Sequence, residues 1–165
     1  MLFNVAGLLR ENVGATRHFT LDGDPPVHHG RVDMTRTPNG VLVHVEAEVF
    51  IEDRCSRCLA AFGYPAHIAF DEIYAQQVDL QTGARLAQPD DPESFRIALD
   101  HTIDITEAVR QYTEMAAAMQ PLCRPDCPGI CATCGQDLSI ATCACDRTPV
   151  DSRWAALAAL KRTDG

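Results

Sequence analysis

The chain has 165 residues and a mass of 18.0 kDa, enough for one domain with a small appendage and for a hydrophobic core that needs no covalent staples. It carries 23 acidic and 14 basic residues, a formal charge of −9; this excludes a body-wide surface for nucleic acid or anionic membrane and leaves only a local, shaped contact. Aromatics make up 6%, so Val, Ile, Leu and Ala must supply most of the burial, and eight cysteines stand out against this background.

The apolar stretch within residues 1–10 is too short for a signal-peptide core and runs into Arg10-Glu11. No run approaches the roughly 18 apolar residues of a membrane span. The expected compartment is therefore the cytoplasm, where thiols stay reduced and clustered Cys points to metal or redox chemistry rather than a disulfide frame.

Residues 1 to about 75 read as antiparallel β structure. Leu2–Leu9 and Arg17–Leu21 are weak strand candidates, and Asp24-Pro25-Pro26 marks a loop. Arg31–Thr37, with Val32 and Met34 inward, should pair with the next strand through Pro38-Asn39-Gly40, where Asn-Gly is expected to supply positive φ for a tight hairpin. Val41, Val43, Val45, Ala47, Val49 and Ile51 fill every odd position of one run, opposite His44, Glu46, Glu48 and Glu52; that period of two is a strand with one buried face. Phe62, Tyr64, Ala66, Ile68 and Phe70 alternate again, and the pattern breaks near Glu72-Ile73.

Residues 75–94 read as loop. Between Asp71 and Glu114 ten acidic residues face three Arg, which reads as a solvated acidic surface. Phe95–Leu99 looks like a further strand. Asp104-Ile105-Thr106-Glu107 matches a capping box, with Asp104 as N-cap and Glu107 reaching back. Ile105, Ala108, Val109, Tyr112, Met115, Ala116 and Met119 follow at helical spacing, the methionines as core filling, and the helix should end before Pro121. A terminal helix opening at Pro149 or Asp151 carries Trp154, Leu157, Ala158 and Leu160 on one stripe, with Lys161 and Arg162 at its C-terminal end.

These elements predict an α+β fold: an N-terminal antiparallel β-sheet or partly open barrel with one packed helix near 104–119, filling residues 1–120, followed by a zinc-ribbon-like cysteine segment and terminal helix in residues 121–165.

The cysteines carry the chemistry. Cys55-Ser56-Arg57-Cys58 sits between two predicted strands, where a hairpin tip aims both sulfurs at one ligand while backbone amides reach the thiolates. Downstream come Cys123, Cys127, Cys131, Cys134, Cys143 and Cys145. Cys131-Ala-Thr-Cys134-Gly135 resembles a zinc knuckle, its glycine turning the backbone behind the second sulfur. Six Cys among Pro125, Pro128, Gly129 and Gly135 cannot build a large apolar core, and a structural metal would supply the missing stability.

Structural zinc, one or two ions, is the preferred reading; a disulfide or redox switch and an iron–sulfur cluster compete with it. Two ligand partitions are open. In the preferred one, Cys131 and Cys134 join Cys143 and Cys145, while Cys55 and Cys58 meet Cys123 and Cys127; the other joins Cys55 and Cys58 to Cys131 and Cys134. The short closing loop favours the first. A thioredoxin-type reading of Cys55 and Cys58 lacks the required βαβ context. No phosphate loop, nucleophile elbow or H-E-x-x-H is present, and the six His are scattered. No catalytic residue is assigned.

Several segments, in order, resemble one family. They are Leu8-Leu9-x-Glu11-x-x-Gly14-Ala15-x-Arg17; Arg54-Cys55-x-Arg57-Cys58-Leu59; Asp104-Ile105-Thr106-Glu107-Ala108-Val109-Arg110; Pro121-Leu122-Cys123 through Cys134-Gly135-x-x-Leu138; Cys143-x-Cys145; and Asp151-x-Arg153-Trp154-x-x-Leu157-x-x-Leu160-Lys161. The set resembles the bacterial and plastid YceD family, the large ribosomal RNA subunit accumulation proteins. The resemblance implies a cytoplasmic, non-enzymatic factor supporting accumulation or processing of large-subunit (23S) ribosomal RNA and ribosome assembly. It also implies that some relatives lack the downstream cysteines. The expected partner is ribosomal RNA, a ribosomal protein or an assembly factor, with no membrane and no small-molecule substrate. Arg54, Arg57, Arg124, Arg147, Arg153 and Trp154 surround the cysteine motifs and are the candidate contact residues. Two alternatives stand beside this reading: a thiol redox or metal-dependent enzyme, and a protein-interaction module binding a basic ribosomal protein.

Overall fold

The computed structural model describes residues 1–80, 82–88, 90, 91, 94–145 and 153. The chain divides into two compact units, Met1–Asp53 with Gly63–Met119, and Arg54–Phe62 with Gln120–Gly165. We call them the sheet unit and the cysteine unit. The expected terminal helix, with Trp154, Leu157 and Leu160, lies outside the described residues.

The fold is α+β. Strands β2 (Thr16–Asp22), β3 (Val27–Thr37), β4 (Gly40–Arg54) and β5 (Ala61–Ala75) form one sheet in that order, and β1 (Leu2–Asn4) pairs with β6 (Thr102–Asp104) in a two-stranded ribbon. Helix α1 spans Thr106–Ala116.

The alternation in β4 sets the core. Val41, Val43, Val45, Ala47, Val49 and Ile51 are all buried, as are Val32 and Met34 of β3. Each Val, Ile or Met side chain among them contributes roughly 1.5–3 kcal/mol when withdrawn from water. Val5, Leu8, Leu9, Ile97, Ile103, Ile105, Ala108 and Val109 join the same cluster. Helix α1 reaches the inner face of β5: the Tyr112 ring stacks on Phe70 at 4.2 Å, and the Tyr112 hydroxyl donates to Glu72 Oε1 at 2.8 Å. The outer face is polar. His18, Asp33 and His44 lie in register across three strands, His18 Nδ1 stands 2.7 Å from Asp33 Oδ1, and His44 Nδ1 stands 2.9 Å from Asp71 Oδ1. The hydrogen bond from His18 leads the influences that hold the Asp33 carboxyl below its ordinary value, with Arg31 adding charge.

Several local expectations need correction. The β3–β4 turn places Pro38 and Asn39 between the paired residues Thr37 and Gly40, and neither Asn39 nor Gly40 has positive φ. Gly40 is required for another reason: a Cβ there would lie 2.1 Å from the Tyr74 carbonyl oxygen. The β5 pattern continues through Glu72, which takes the inward phase and finds Tyr112, while Ile73 points outward. Phe95–Leu99 forms only an isolated bridge, Ala75 to Arg96; the strand is β6, three residues further on. No capping box closes. Asp104 accepts from the Thr106 N–H at 2.9 Å, and Glu107 turns instead to Arg110 and Gln111. Met115 is 76% exposed, and Met119, beyond the helix end, is fully exposed, so neither fills the core.

Candidate metal centres

The cysteine unit is built on two backbone turns of the same kind. After Arg54, the Cys55 N–H donates to the Ala60 carbonyl at 2.9 Å and the Leu59 N–H donates to the Cys55 carbonyl at 2.9 Å. Further on, the Cys131 N–H donates to the Gln136 carbonyl at 2.8 Å and the Gly135 N–H donates to the Cys131 carbonyl at 2.8 Å. In both, the residue after the second sulfur is left-handed: Leu59 at φ 62 and Gly135 at φ 73. The sequence pattern exposes the glycine; it does not expose Leu59, because a branched aliphatic residue carries no signal for that conformation.

Each turn meets a second pair of cysteines. Cys55, Cys58, Cys123 and Cys127 converge in one group and Cys131, Cys134, Cys143 and Cys145 in another, with all sulfurs of a group within 4.8 Å of one another. This is the partition with the short local loop. Cys55 Sγ lies 3.7 Å from Cys127 Sγ, and Cys58 Sγ lies 3.8 Å from Cys123 Sγ. A tetrahedral ion with metal–sulfur bonds of about 2.3 Å sets its ligands about 3.8 Å apart. The eight thiols are free, so each group could hold one ion.

The two groups differ in cover. Cys55, Cys58 and Cys127 are buried, with Phe62 and Leu122 packed on them, and Cys123 is exposed. In the second group only Cys131 is buried. The first is stitched by backbone: the Ser56 N–H donates to the Pro121 carbonyl at 2.8 Å and the Ile130 N–H to the Arg57 carbonyl at 3.1 Å. Gly129, at φ +75, packs against that Arg57 carbonyl, 3.1 Å from where a Cβ would sit.

The electrostatics select one low thiol in each group. Amides of Cys123, Cys58 and Arg57 aim at Cys55 and lower it to about 6. Amides of Cys134 and Thr133 do the same for Cys131, also to about 6. Burial, then the neighbouring sulfurs, push Cys123 up to about 12. Cys145 rises to about 12 through Cys134 first and burial second. Cys58 is raised: the Ala60 amide, its largest single influence, lowers it, but burial and the Cys55 and Cys127 sulfurs together outweigh that. Four thiols this close cannot all ionise without a cation among them, and a dication held there would supply that charge.

The candidate contact residues fare unevenly. Arg57 donates from Nη1 to the Cys127 carbonyl at 3.0 Å, so its side chain braces the first group. Arg124 Nε lies 3.4 Å from Asp126. Arg54 and Arg153 both have partners, and Arg147 and Trp154 lie outside the described residues. Among the described residues no helix is long and apolar enough to cross a membrane.

Uncharacterized proteins of Mycobacterium bovis and Mycobacterium tuberculosis are each 30% identical to this chain over 118 residues, covering 72% of it and 54% of the relative. An uncharacterized protein of Mycobacterium leprae is 27% identical over 86 residues, covering 52% of this chain and 37% of its own length. The chain thus spans about half the length, or less, of the curated relatives it matches. No solved structure matches it. The family model for the large ribosomal RNA subunit accumulation protein YceD matches residues 43–161, a span that takes in most of β4, all of β5 and α1 and both cysteine groups, and the chain belongs to that family.

Proposed function

We propose that the protein is a non-enzymatic cytoplasmic factor that supports accumulation of large-subunit (23S) ribosomal RNA, with a structural zinc ion in each cysteine group. The family match over residues 43–161 carries the ribosomal reading. The sulfur spacing supports the metal: 3.7 and 3.8 Å suit one tetrahedral ion, whereas an iron–sulfur cluster interposes irons and sulfides and needs a wider cage than 4.8 Å. All four positions around each ion are then thiolates, which leaves none open for substrate or water, as befits a structural site.

On this reading the cysteine unit presents Arg54, Arg57, Arg124, Arg147, Arg153 and Trp154 to ribosomal RNA or a ribosomal protein. Arg57→Glu is a poor test of that contact, since it also removes the brace on Cys127; Arg124→Glu is the cleaner variant. The decisive experiment deletes the gene in the organism that encodes it and measures the ratio of large- to small-subunit ribosomal RNA. Loss of the large RNA, restored by the wild-type gene and not by Cys55→Ser/Cys58→Ser, supports the proposal; an unchanged ratio overturns it. Metal analysis of the purified protein should return two zinc ions per chain.

A further inference from the structure

Strand β4 is longer than its neighbour. It runs to Arg54, while β3 begins at Val27 opposite Val49. Past that point the Phe50 N–H still donates on this side, to the Pro26 carbonyl at 2.9 Å. In an antiparallel ladder the N–H and C=O of alternate residues face the same neighbour. The Glu52 N–H and C=O therefore face the side where β3 has ended, and among the described residues no strand lies along it.

This bare edge opens onto a groove of ≈ 1130 Å³ within the sheet unit, bounded by Pro25, Pro26, Phe50 and Ile51 on one wall and by Thr113 and Ala117 on the other. Phe50 is 51% exposed. Glu52 and Glu114 line the same groove. Among the described lining residues the one guanidinium, Arg110, is engaged by both Glu107 and Glu114, so that trio keeps one negative charge in excess. The whole sheet unit carries 18 acidic and 7 basic residues.

An exposed strand edge is ordinarily blunted by proline, a cationic side chain or a covering element. Here it is flanked by apolar wall and rimmed with acid. We propose that this edge takes an extended, basic segment of a partner protein as an added strand. Main-chain hydrogen bonds form to Glu52, apolar side chains enter the groove, and Arg or Lys residues face Glu52 and Glu114. The negative field repels RNA and anionic lipid and attracts such a segment. This surface lies outside the cysteine unit, so it stands or falls apart from the zinc and ribosomal RNA readings.

The test uses the full metal-loaded chain and a fluorescein-labelled peptide of about eight residues alternating valine and arginine, read by fluorescence anisotropy. Glu52→Lys and Glu114→Lys should each weaken binding about tenfold or more. Methylating the peptide amides that face the edge should weaken it by a similar factor, about tenfold, at unchanged charge. In the unmodified protein the Glu52 amide should exchange quickly when free and slowly when the peptide is bound, a readout that needs no variant. Four results overturn the proposal: no binding, binding indifferent to the Glu52 and Glu114 substitutions, equal binding of the methylated peptide, or a Glu52 amide already protected in the free protein. The last would mean that another segment of this chain or a second copy covers the edge.

Discussion

The sheet unit holds Val32, Met34, Val41, Val43 and Val45 fully out of water, together with Ile103, Ile105 and Val109. In the cysteine unit, the described apolar side chains packed around the first sulfur group are only the half-buried Phe62 and Leu122. Charge separates the two as well: 18 acidic against 7 basic residues in the sheet unit, 5 against 7 in the cysteine unit. Two filled four-thiolate zinc sites, each with a formal charge of −2, would take the cysteine unit from +2 to −2. The chain-wide −9 thus belongs to the sheet unit and says little about what the cysteine unit touches. Each unit has its own source of order: aliphatic burial in one, and in the other converging sulfurs that a cation would hold together.

Removing the metal should break this comparison most visibly. A chelator strong enough to strip both sites removes binding energy on the order of 10 kcal/mol per site. Hydrogen exchange should then rise throughout residues 120–145 and 54–62 while β3, β4 and α1 keep their protection. Loss of protection in both units together would mean that they share one source of stability. The converse experiment truncates the aliphatic core. Ile103→Ala should cost about 3 kcal/mol in a denaturant titration of the sheet unit, with zinc content unchanged.

The paired turns allow a sharper contrast. Leu59 holds the left-handed conformation that Gly135 holds in the other turn, and an L-residue there costs roughly 1–2 kcal/mol. Leu59→Gly should raise the stability of the cysteine unit by about 1 kcal/mol, and Gly135→Ala should lower it by about the same, both measured by competition with a chelator.

Acid provides the smallest and most graded test. Asp33 sits below its ordinary 3.8 when folded. Its contribution is therefore complete above pH 3.8 and is lost as pH falls through the lowered value. Thiols, with an ordinary value of 9.0, compete for protons at higher pH than any carboxylate, so acid should release the metal first. A pH titration should show zinc leaving above pH 3.8 with the near-ultraviolet signal of Tyr74 and Tyr112 intact. Asp33→Asn should shift only the later, sheet-unit transition.

What could be read from the sequence divides along the same line. The Val-rich odd positions of β4 announce a buried face because the period of two is long and clean, and the cysteine spacings announce clustering because little else can hold such a segment together. Where side chains answer to distant neighbours, local pattern fails. Gly40 looks like a turn glycine beside Asn39, yet it is fixed by the Tyr74 carbonyl from another strand. Met115 keeps helical spacing, yet it lies on a side of α1 that the core does not reach. Strand β6 has three residues, too few for any period, so the apolar run Phe95–Leu99 looks like the strand instead; its partner β1 is only the first three residues of the Leu2–Leu9 candidate, whose end winds into a helical turn at Leu8–Arg10. The regrouping of Cys55 and Cys58 with residues 120–145 is a tertiary fact that the sequence shows only through matching ligand pairs; the backbone bonds and the Arg57 brace that also hold it leave no local pattern.

That regrouping has a temporal side. The facing sulfurs of the first group are separated by 72 positions for Cys55 and Cys127 and by 65 for Cys58 and Cys123. At about 5–20 residues per second of synthesis, the first two thiols emerge roughly 3–14 s before the last of the four. Between them the ribosome makes residues 63–119, the rest of the sheet unit. Until then the hairpin tip offers two reactive ligands to any passing cation or oxidant. Closure around a metal can occur only after that unit has been translated, so an occupied first site is a chemical record that synthesis has passed Cys127.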